Sequence, residues 1–279
     1  MSVATDLLDQ IGAAALRCSL PAVKALHLPP PSADGSRDGE FCAIELDDGS
    51  LGLSFVLLDR TLADLRAGAG RVVLPGLPAL QLARQYLEGQ GSLRTLGFAA
   101  VNAITRHLFD RAGFKPPPAA GSVGDLDLQP GDHLGMVGFF PPLIQRVLDA
   151  GAQLTVVELR ADLVGERDGF RVTLDAAELR HCNKVLSTST VLLNQTLDAV
   201  LAHCAGAQRL AMVGPGAGCL PDALFARGLT LLGGSWIDDP ASFKAALAAG
   251  DSWGPFATKF ALRPDAYPGL SALLARATP

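Results

Sequence analysis

HLGMVGFF, PPLIQRVLDAG and AQLTVVELR follow one another over residues 133–160. The first and last segments are short apolar runs without polar alternation, the pattern of strands covered on both faces. The middle segment reads as a helix, and Pro141-Pro142 stands where a helix begins. Strand, helix, strand in this order means a parallel pair joined by a crossover. The same alternation continues outward. KVLSTST, RLAMVGPG and LTLLGGSW read as further buried strands, and DAAELRHC, NQTLDAVLAHCAG, CLPDALFARG and PASFKAALAAG as the helical stretches around them. The expectation is a Rossmann-like, doubly wound α/β domain.

Upstream the pattern differs. VATDLLDQIGAAALRC, residues 3–18, has helical spacing. HLPPPSADGSRDGE reads as a surface loop. In FCAIELDDGSLGLSFVLLD, two β-rich runs flank Asp47-Asp48-Gly49-Ser50, a connection suited to a hairpin. LPALQLARQYLEG and SLRTLGFAAVNAITRHLFDRAG read as two helices, the second with small residues that permit close packing. This is a smaller α+β unit. FKPPPAAGSVGD marks the boundary, because its prolines cannot continue a helix. The chain therefore divides into residues 1–120 and residues 121–279.

Of the 279 residues 49% are hydrophobic and 18% charged, enough to bury a substantial core. The net charge of −5 argues against a nucleic-acid partner, which needs a basic face. The N-terminal stretch lacks the pattern of a secretory signal, and no apolar run approaches the ~18 residues of a membrane span. Five scattered cysteines do not form a disulfide framework. These features point to a soluble protein of a reducing compartment, the bacterial cytoplasm. A homodimer is the default assembly.

In open parallel sheets ligands bind beyond the carboxyl ends of the strands. At those ends stand Gly138 and Phe140, Glu158, the run Ser187-Thr188-Ser189-Thr190, Gly214-Pro215 and Gly233-Gly234-Ser235-Trp236. The first turn has no G-x-G-x-x-G, and Phe139 and Phe140 would obstruct a pyrophosphate there. Glu158 is open to two readings: a ribose ligand for a nucleotide cofactor, or a surface acid that pairs with Arg160 or caps a turn. Thr188, Ser189, Thr190, Asn194 and Thr196 crowd hydroxyls and an amide into one loop. Capping needs one or two of them, so a binding loop for an anion or polar cofactor is the favoured reading. Asn102 lies on the small-residue helix and would satisfy a buried neighbour or reach a cleft between the two units. His27, His107 and His133 read as surface or satisfied histidines. His181-Cys182 and His203-Cys204 make no chelate alone, because neighbouring side chains diverge. Asp238-Asp239, before Pro240, reads as the cap of the last helix.

LGFAAVNAI, GMVGFFPPLIQRVLDAG, TVVELR, VLSTSTVLLNQTLDAVL, MVGPGAGCLPDALFARGLTLLGG and a DD segment, in this order, resemble the heavy-metal chelation family. That family is the domain of unknown function 364, with its companion domain of unknown function 4213. The resemblance implies an N-terminal domain similar to the enolase N-terminal fold, a Rossmann-like C-terminal domain and an active site in the cleft between them. It assigns the family's loop to Thr188, Thr190, Asn194 and Thr196, its glycine–proline turn to Gly214 and Pro215, and its helix amide to Asn102. Where the family commonly places serine after the glycine–proline pair, this chain has Gly216.

Hydroxyls, amides and one carboxylate are hard ligands. They suit an oxyanion or a metal already held by an organic chelator better than a bare soft metal. The cofactor expectation is a transition metal or a metal–chelator complex. Two alternatives stay open: an enzyme with a nucleotide-type cofactor, S-adenosylmethionine or NAD, and a non-catalytic small-molecule-binding module. No nucleophile–base pair is legible, so turnover is undecided at this level.

Overall fold

The computed structural model describes residues 1–31, 41–56, 58–68, 73–120 and 126–277. Parts of the expected loop at 27–40 and of the boundary at 114–125 lie outside the described residues. In chain order the elements begin with α1 (Val3–Ala15), β1 (Val23–His27), β2 (Phe41–Leu46), β3 (Leu51–Phe55), α2 (Thr61–Arg66), α3 (Ala79–Glu88) and α4 (Ser92–Arg111). There follow β4 (His133–Val137), α5 (Pro141–Asp149), β5 (Gln153–Val157), β6 (Gly165–Arg167), β7 (Phe170–Thr173) and β8 (Lys184–Thr188). The chain continues through α6 (Thr190–Leu193), α7 (Leu197–Leu201), β9 (Arg209–Val213), α8 (Asp222–Phe225), β10 (Leu231–Ile237), α9 (Pro240–Ala249), β11 (Ala257–Leu262) and α10 (Leu270–Ala277).

The expected parallel sheet is present and larger than anticipated. Eight strands run in the order β11-β10-β9-β8-β4-β5-β7-β6. The pairs from β7 across to β10 are parallel, and an antiparallel strand closes each edge. The chain winds from β4 outward to β7, then returns to β8 and winds the other way. The switch point therefore lies between β4 and β8, where such folds open a crevice. Alternate residues of each inner strand serve opposite layers. Leu134, Met136, Leu154 and Val156 pack under α5 with Ile144 and Val147. Val137, Val157, Val185 and Met212 face the main core, shared with α1, α3, α4, α7 and α10.

The smaller sheet is antiparallel, β1-β2-β3, with the β2–β3 hairpin turning at the expected Asp-Asp-Gly-Ser stretch. It packs on α4 so closely that a Cβ at Gly52 would lie 2.1 Å from the Ala103 nitrogen. The other face of this sheet, Phe41, Ala43, Leu51 and Leu53, meets Phe243 and Leu247 of α9. Gly97 performs the same service between α4 and α3, where a Cβ would meet the Tyr86 nitrogen at 2.2 Å. The buried Tyr86 hydroxyl then donates to the Leu192 carbonyl at 2.6 Å, joining α3 to α6. No helix among the described residues is long and apolar enough to cross a membrane.

Several expectations about elements need correction. No strand is expected from the sequence at β1, the β6–β7 hairpin or β11, yet all three pair at sheet edges. The expected helix at DAAELRHC is a 3-10 turn over Ala176–His181. The helix expected from Asn194 begins only at Leu197 and is the short α7, because Gln195 takes a positive φ of 58°; a separate turn of helix, α6, precedes Asn194. Asp239 does cap a helix, accepting from the amides of Ala241 and Ser242 at 3.1 Å, but that helix is α9 and not the last. Residues 117–119 do not merely link the two halves: Ala119 N donates to the Lys259 carbonyl and Ala261 N to the Pro117 carbonyl, along β11.

Candidate functional site

The strand-end residues separate into groups with different partners. Gly138 ends β4 and Thr188 ends β8, so they face each other across the switch point. A Cβ at Gly138 would meet the Thr188 methyl at 3.1 Å and the Phe140 ring at 3.5 Å. The Thr188 hydroxyl donates to Thr190 Oγ1 at 3.1 Å and accepts from the Thr190 amide at 3.2 Å. Asn194 Oδ1 accepts from both the amide and the hydroxyl of Thr196, at 3.2 and 2.7 Å. These are local turns of the kind short polar side chains make with their own backbone. The loop end carrying Asn194 and Thr196 sits against α3, where Gln195 Nε2 donates to the Tyr86 carbonyl at 2.7 Å.

Glu158 is committed as well. Its carboxylate accepts from the amides of Phe139 at 2.9 Å, Leu159 at 2.7 Å and Arg160 at 3.3 Å. The acid thereby fastens the first strand–helix turn to its own. A ribose would compete with three backbone donors for this carboxylate, and the two phenylalanines flank the same turn.

Ser189, Gly214, Pro215 and Asn102 form a second group, on the side facing the smaller unit. Gly214 has a φ of 150° and its missing Cβ would fall 2.3 Å from Ser189 Oγ, so only glycine fits there. The loop that follows carries its Gly216 carbonyl to Asn102. Asn102 is 3% exposed. Its Nδ2 donates to the Leu53 carbonyl at 2.7 Å and the Gly216 carbonyl at 2.9 Å, so one amide clips the β2–β3 hairpin to the glycine–proline loop. Its Oδ1 is buried and has no hydrogen-bond partner among the described residues.

Asn102 lines a narrow, solvent-open cleft between α4, the hairpin, the glycine–proline loop and the end of β10. Pro215, Gly218, Ser235 and Trp236 line it from the large sheet, and Gly52 and Arg106 from the smaller unit. The Arg106 guanidinium stacks 3.7 Å above the centre of the Trp236 ring. Its Nε donates to Asp110 at 2.7 Å and its Nη1 to the Ile237 carbonyl at 3.0 Å. Sequence reasoning placed Ser235 and Trp236 at a strand end without a role, and it missed Arg106. The signal was available: Arg106 is one helical turn beyond Asn102 and so shares its face.

A second cavity borders Ser2, Tyr86, Gln195 and Asp198. Its polar groups are occupied: Asp198 accepts from the Val3 amide at 3.1 Å, while Tyr86 and Gln195 hold the bonds already described. It offers nothing comparable to the free Asn102 oxygen.

A bare heavy-metal ion fits neither site. Among the described residues no group of three or more His, Cys, Asp or Glu could hold one. The five cysteines are buried. Burial pushes the thiols of Cys42, Cys182 and Cys219 up to about 12 and that of Cys204 to about 11, far from the thiolate form that binds metal. The three isolated histidines are bonded within the fold: His27 to Glu45 at 2.7 Å, His107 to Asp48 at 2.6 Å and His133 to Thr155 at 2.9 Å.

Comparison with known proteins matches two family models to this chain. DUF364, described as "Putative heavy-metal chelation", covers residues 123–264, and DUF4213, described in the same words, covers residues 39–105. A crystal structure of a DUF364-family protein of unknown function from Pyrococcus horikoshii superposes with a TM-score of 0.68 at 17% identity, over 92% of this chain and 99% of the other. A second, from Desulfitobacterium hafniense, gives 0.65 at 20% identity, over 93% and 98%. Both show the shared fold. An uncharacterized protein of Methanocaldococcus jannaschii is 30% identical over 150 residues, 52% of this chain and 55% of the relative, so the match spans about half of that protein's length.

Proposed function

We propose that this chain, which belongs to the DUF364 family, recognises a metal–chelator complex or its metal-free precursor in the cleft beneath α4. The reading treats residues 1–120 and 121–279 as two units that each supply one wall. The observation that carries it is the Asn102 amide: its nitrogen is spent on two buried carbonyls, and its oxygen is left without a partner at the cleft. A buried acceptor without a donor costs about 1–3 kcal/mol, so a ligand that supplies the donor recovers that cost on binding. The family description names chelation of heavy metal, while the described residues contain no thiolate or imidazole cluster. An organic chelator that brings its own metal ligands reconciles the two. Ser189, Gly214 and Pro215 support the loop that meets Asn102; Thr188, Thr190, Asn194 and Thr196 shape the neighbouring turns. Phe140, Gly138 and Glu158 belong to the switch-point crevice, the place a nucleotide cofactor would occupy.

Thermal denaturation tests the reading. Nickel citrate at 100 times its Kd should stabilise the fold by about 2.7 kcal/mol and raise Tm by several degrees. Nickel ion alone, S-adenosylmethionine and NAD should leave Tm unchanged. A shift with the ion alone, or with either nucleotide and not the chelate, contradicts the proposal.

A further inference from the structure

The cleft constrains the chemistry of what it holds. Two carbonyls fix the direction of the Asn102 amide, since turning it over would set its oxygen against the oxygens of Leu53 and Gly216. Oδ1 therefore only accepts, and the group that meets it must carry an O–H or N–H. One turn along the same helix face, Arg106 is held flat on Trp236, with Nε and Nη1 engaged by Asp110 and the Ile237 carbonyl. Its Nη2 donates to no other group among the described residues. A guanidinium pinned in this way is pre-oriented for a carboxylate.

Residues four apart on a helix stand about 5–6 Å from each other at Cβ. Both side chains line the cleft, and a ligand with a donor on one atom and a carboxylate on the adjacent carbon carries the complement of each. Elsewhere in the lining Gly52 and Gly218 present no side chain and Ser235 presents a hydroxyl, beside the apolar Leu53, Phe109 and Phe260. We infer that the group seated here is an α-hydroxycarboxylate or α-aminocarboxylate, with its carboxylate on Arg106 and its hydroxyl or amine on Asn102. Such groups are bidentate metal chelators, so the inference rests on the proposed function and specifies its ligand. A sulfate offers no donor to Asn102, and an apolar ligand offers nothing to either residue.

Isothermal calorimetry with two probes tests this without relying on a mutation. Citrate carries a hydroxyl beside a carboxylate; tricarballylate has the same three carboxylates and no hydroxyl. Citrate should bind at least tenfold more tightly. Arg106→Gln should weaken citrate by about tenfold or more, the loss expected for a charge-assisted bond. Gly218→Ala is the variant that spares the fold. Its methyl would lie 3.4 Å from Asn102 Cβ and 3.7 Å from Oδ1, ordinary contact distances, while crowding the atom the ligand must reach. It should keep the wild-type Tm and lose citrate affinity. Equal affinity for citrate and tricarballylate overturns the inference, as do Arg106→Gln and Gly218→Ala proteins that both bind citrate like wild type. If nickel citrate still stabilises the protein in either case, the general reading stands and only this assignment falls. If no chelator or chelate binds the wild-type protein, both fall together.

Discussion

The loop from Ser187 to Thr196 and the single residue Asn102 are both polar intrusions into apolar surroundings, and they behave in opposite ways. In the loop, Thr188 bonds to Thr190 and Asn194 bonds to Thr196, so its polar groups are consumed within a few residues of themselves. Asn102 reaches across the molecule to Leu53 and Gly216, and one acceptor remains over. A high density of hydrogen-bonding side chains is therefore weak evidence of a site. An unmatched group on an otherwise packed helix is stronger, because burial makes every unmet bond costly.

Substitutions can sharpen this contrast, beginning with the cleft's own floor. Gly52 and Gly218 both line the cleft, yet alanine at Gly52 would place its Cβ 2.1 Å from the Ala103 nitrogen and 2.2 Å from the Ala99 carbonyl oxygen. Both obstacles are backbone and cannot swing aside. Gly52→Ala should cost more than about 4 kcal/mol or abolish folding, measured by urea denaturation, whereas Gly218→Ala should change stability by less than about 1 kcal/mol.

Glu45 extends the comparison to a charged group that is fully matched. It is 4% exposed on β2 and pairs with Lys24 at 2.9 Å, His27 at 2.7 Å and Lys244 of α9 at 3.0 Å. Burial alone would raise its pKa, but bonds from Lys24, His27 and Lys244 outweigh that and hold it at about 2 against an ordinary 4.5. A depressed carboxylate pKa stabilises the fold above the ordinary value and loses that stabilisation as pH falls. Acid titration should therefore remove on the order of 3 kcal/mol between pH 4.5 and about 2. In Glu45→Gln the dependence on pH across this window should be shallower; an unchanged slope would show that the ion cluster does not contribute.

Smaller effects separate the two polar regions directly. Asn102→Ala strands the carbonyls of Leu53 and Gly216 and should cost about 2–3 kcal/mol in urea denaturation. Thr188→Val removes one local turn at the strand end and should cost less than about 1 kcal/mol. If Thr188→Val proves the more damaging, the hydroxyl loop is not the self-contained turn described above, and the contrast fails.

The large sheet was legible in the sequence because its inner strands are covered on both faces and read as unbroken apolar runs. The edges were not. β11, Ala257–Leu262, is only partly buried, and β1 is short and half-exposed. The β6–β7 hairpin did leave a signal, since Asp168-Gly169 lies between strands paired Glu166 to Arg171 and Arg167 to Phe170. In the cleft, Asn102 and Pro215 were legible from residue type. Trp236 stood out as a strand-end residue, but Arg106 did not, because its pairing with Trp236 joins residues 130 positions apart. Hydroxyl content drew attention to Thr188 and Thr196; only the folded chain reveals that their bonds close locally.

The central claim is that the unmet oxygen of Asn102 marks where this chain holds its ligand. A crystal structure of the protein with nickel citrate tests it most directly. The account predicts density in the cleft with a ligand hydroxyl within hydrogen-bonding distance of Asn102 Oδ1 and a carboxylate on Arg106. Density instead between Gly138 and Thr188 at the switch point, with the Asn102 cleft empty, would contradict it.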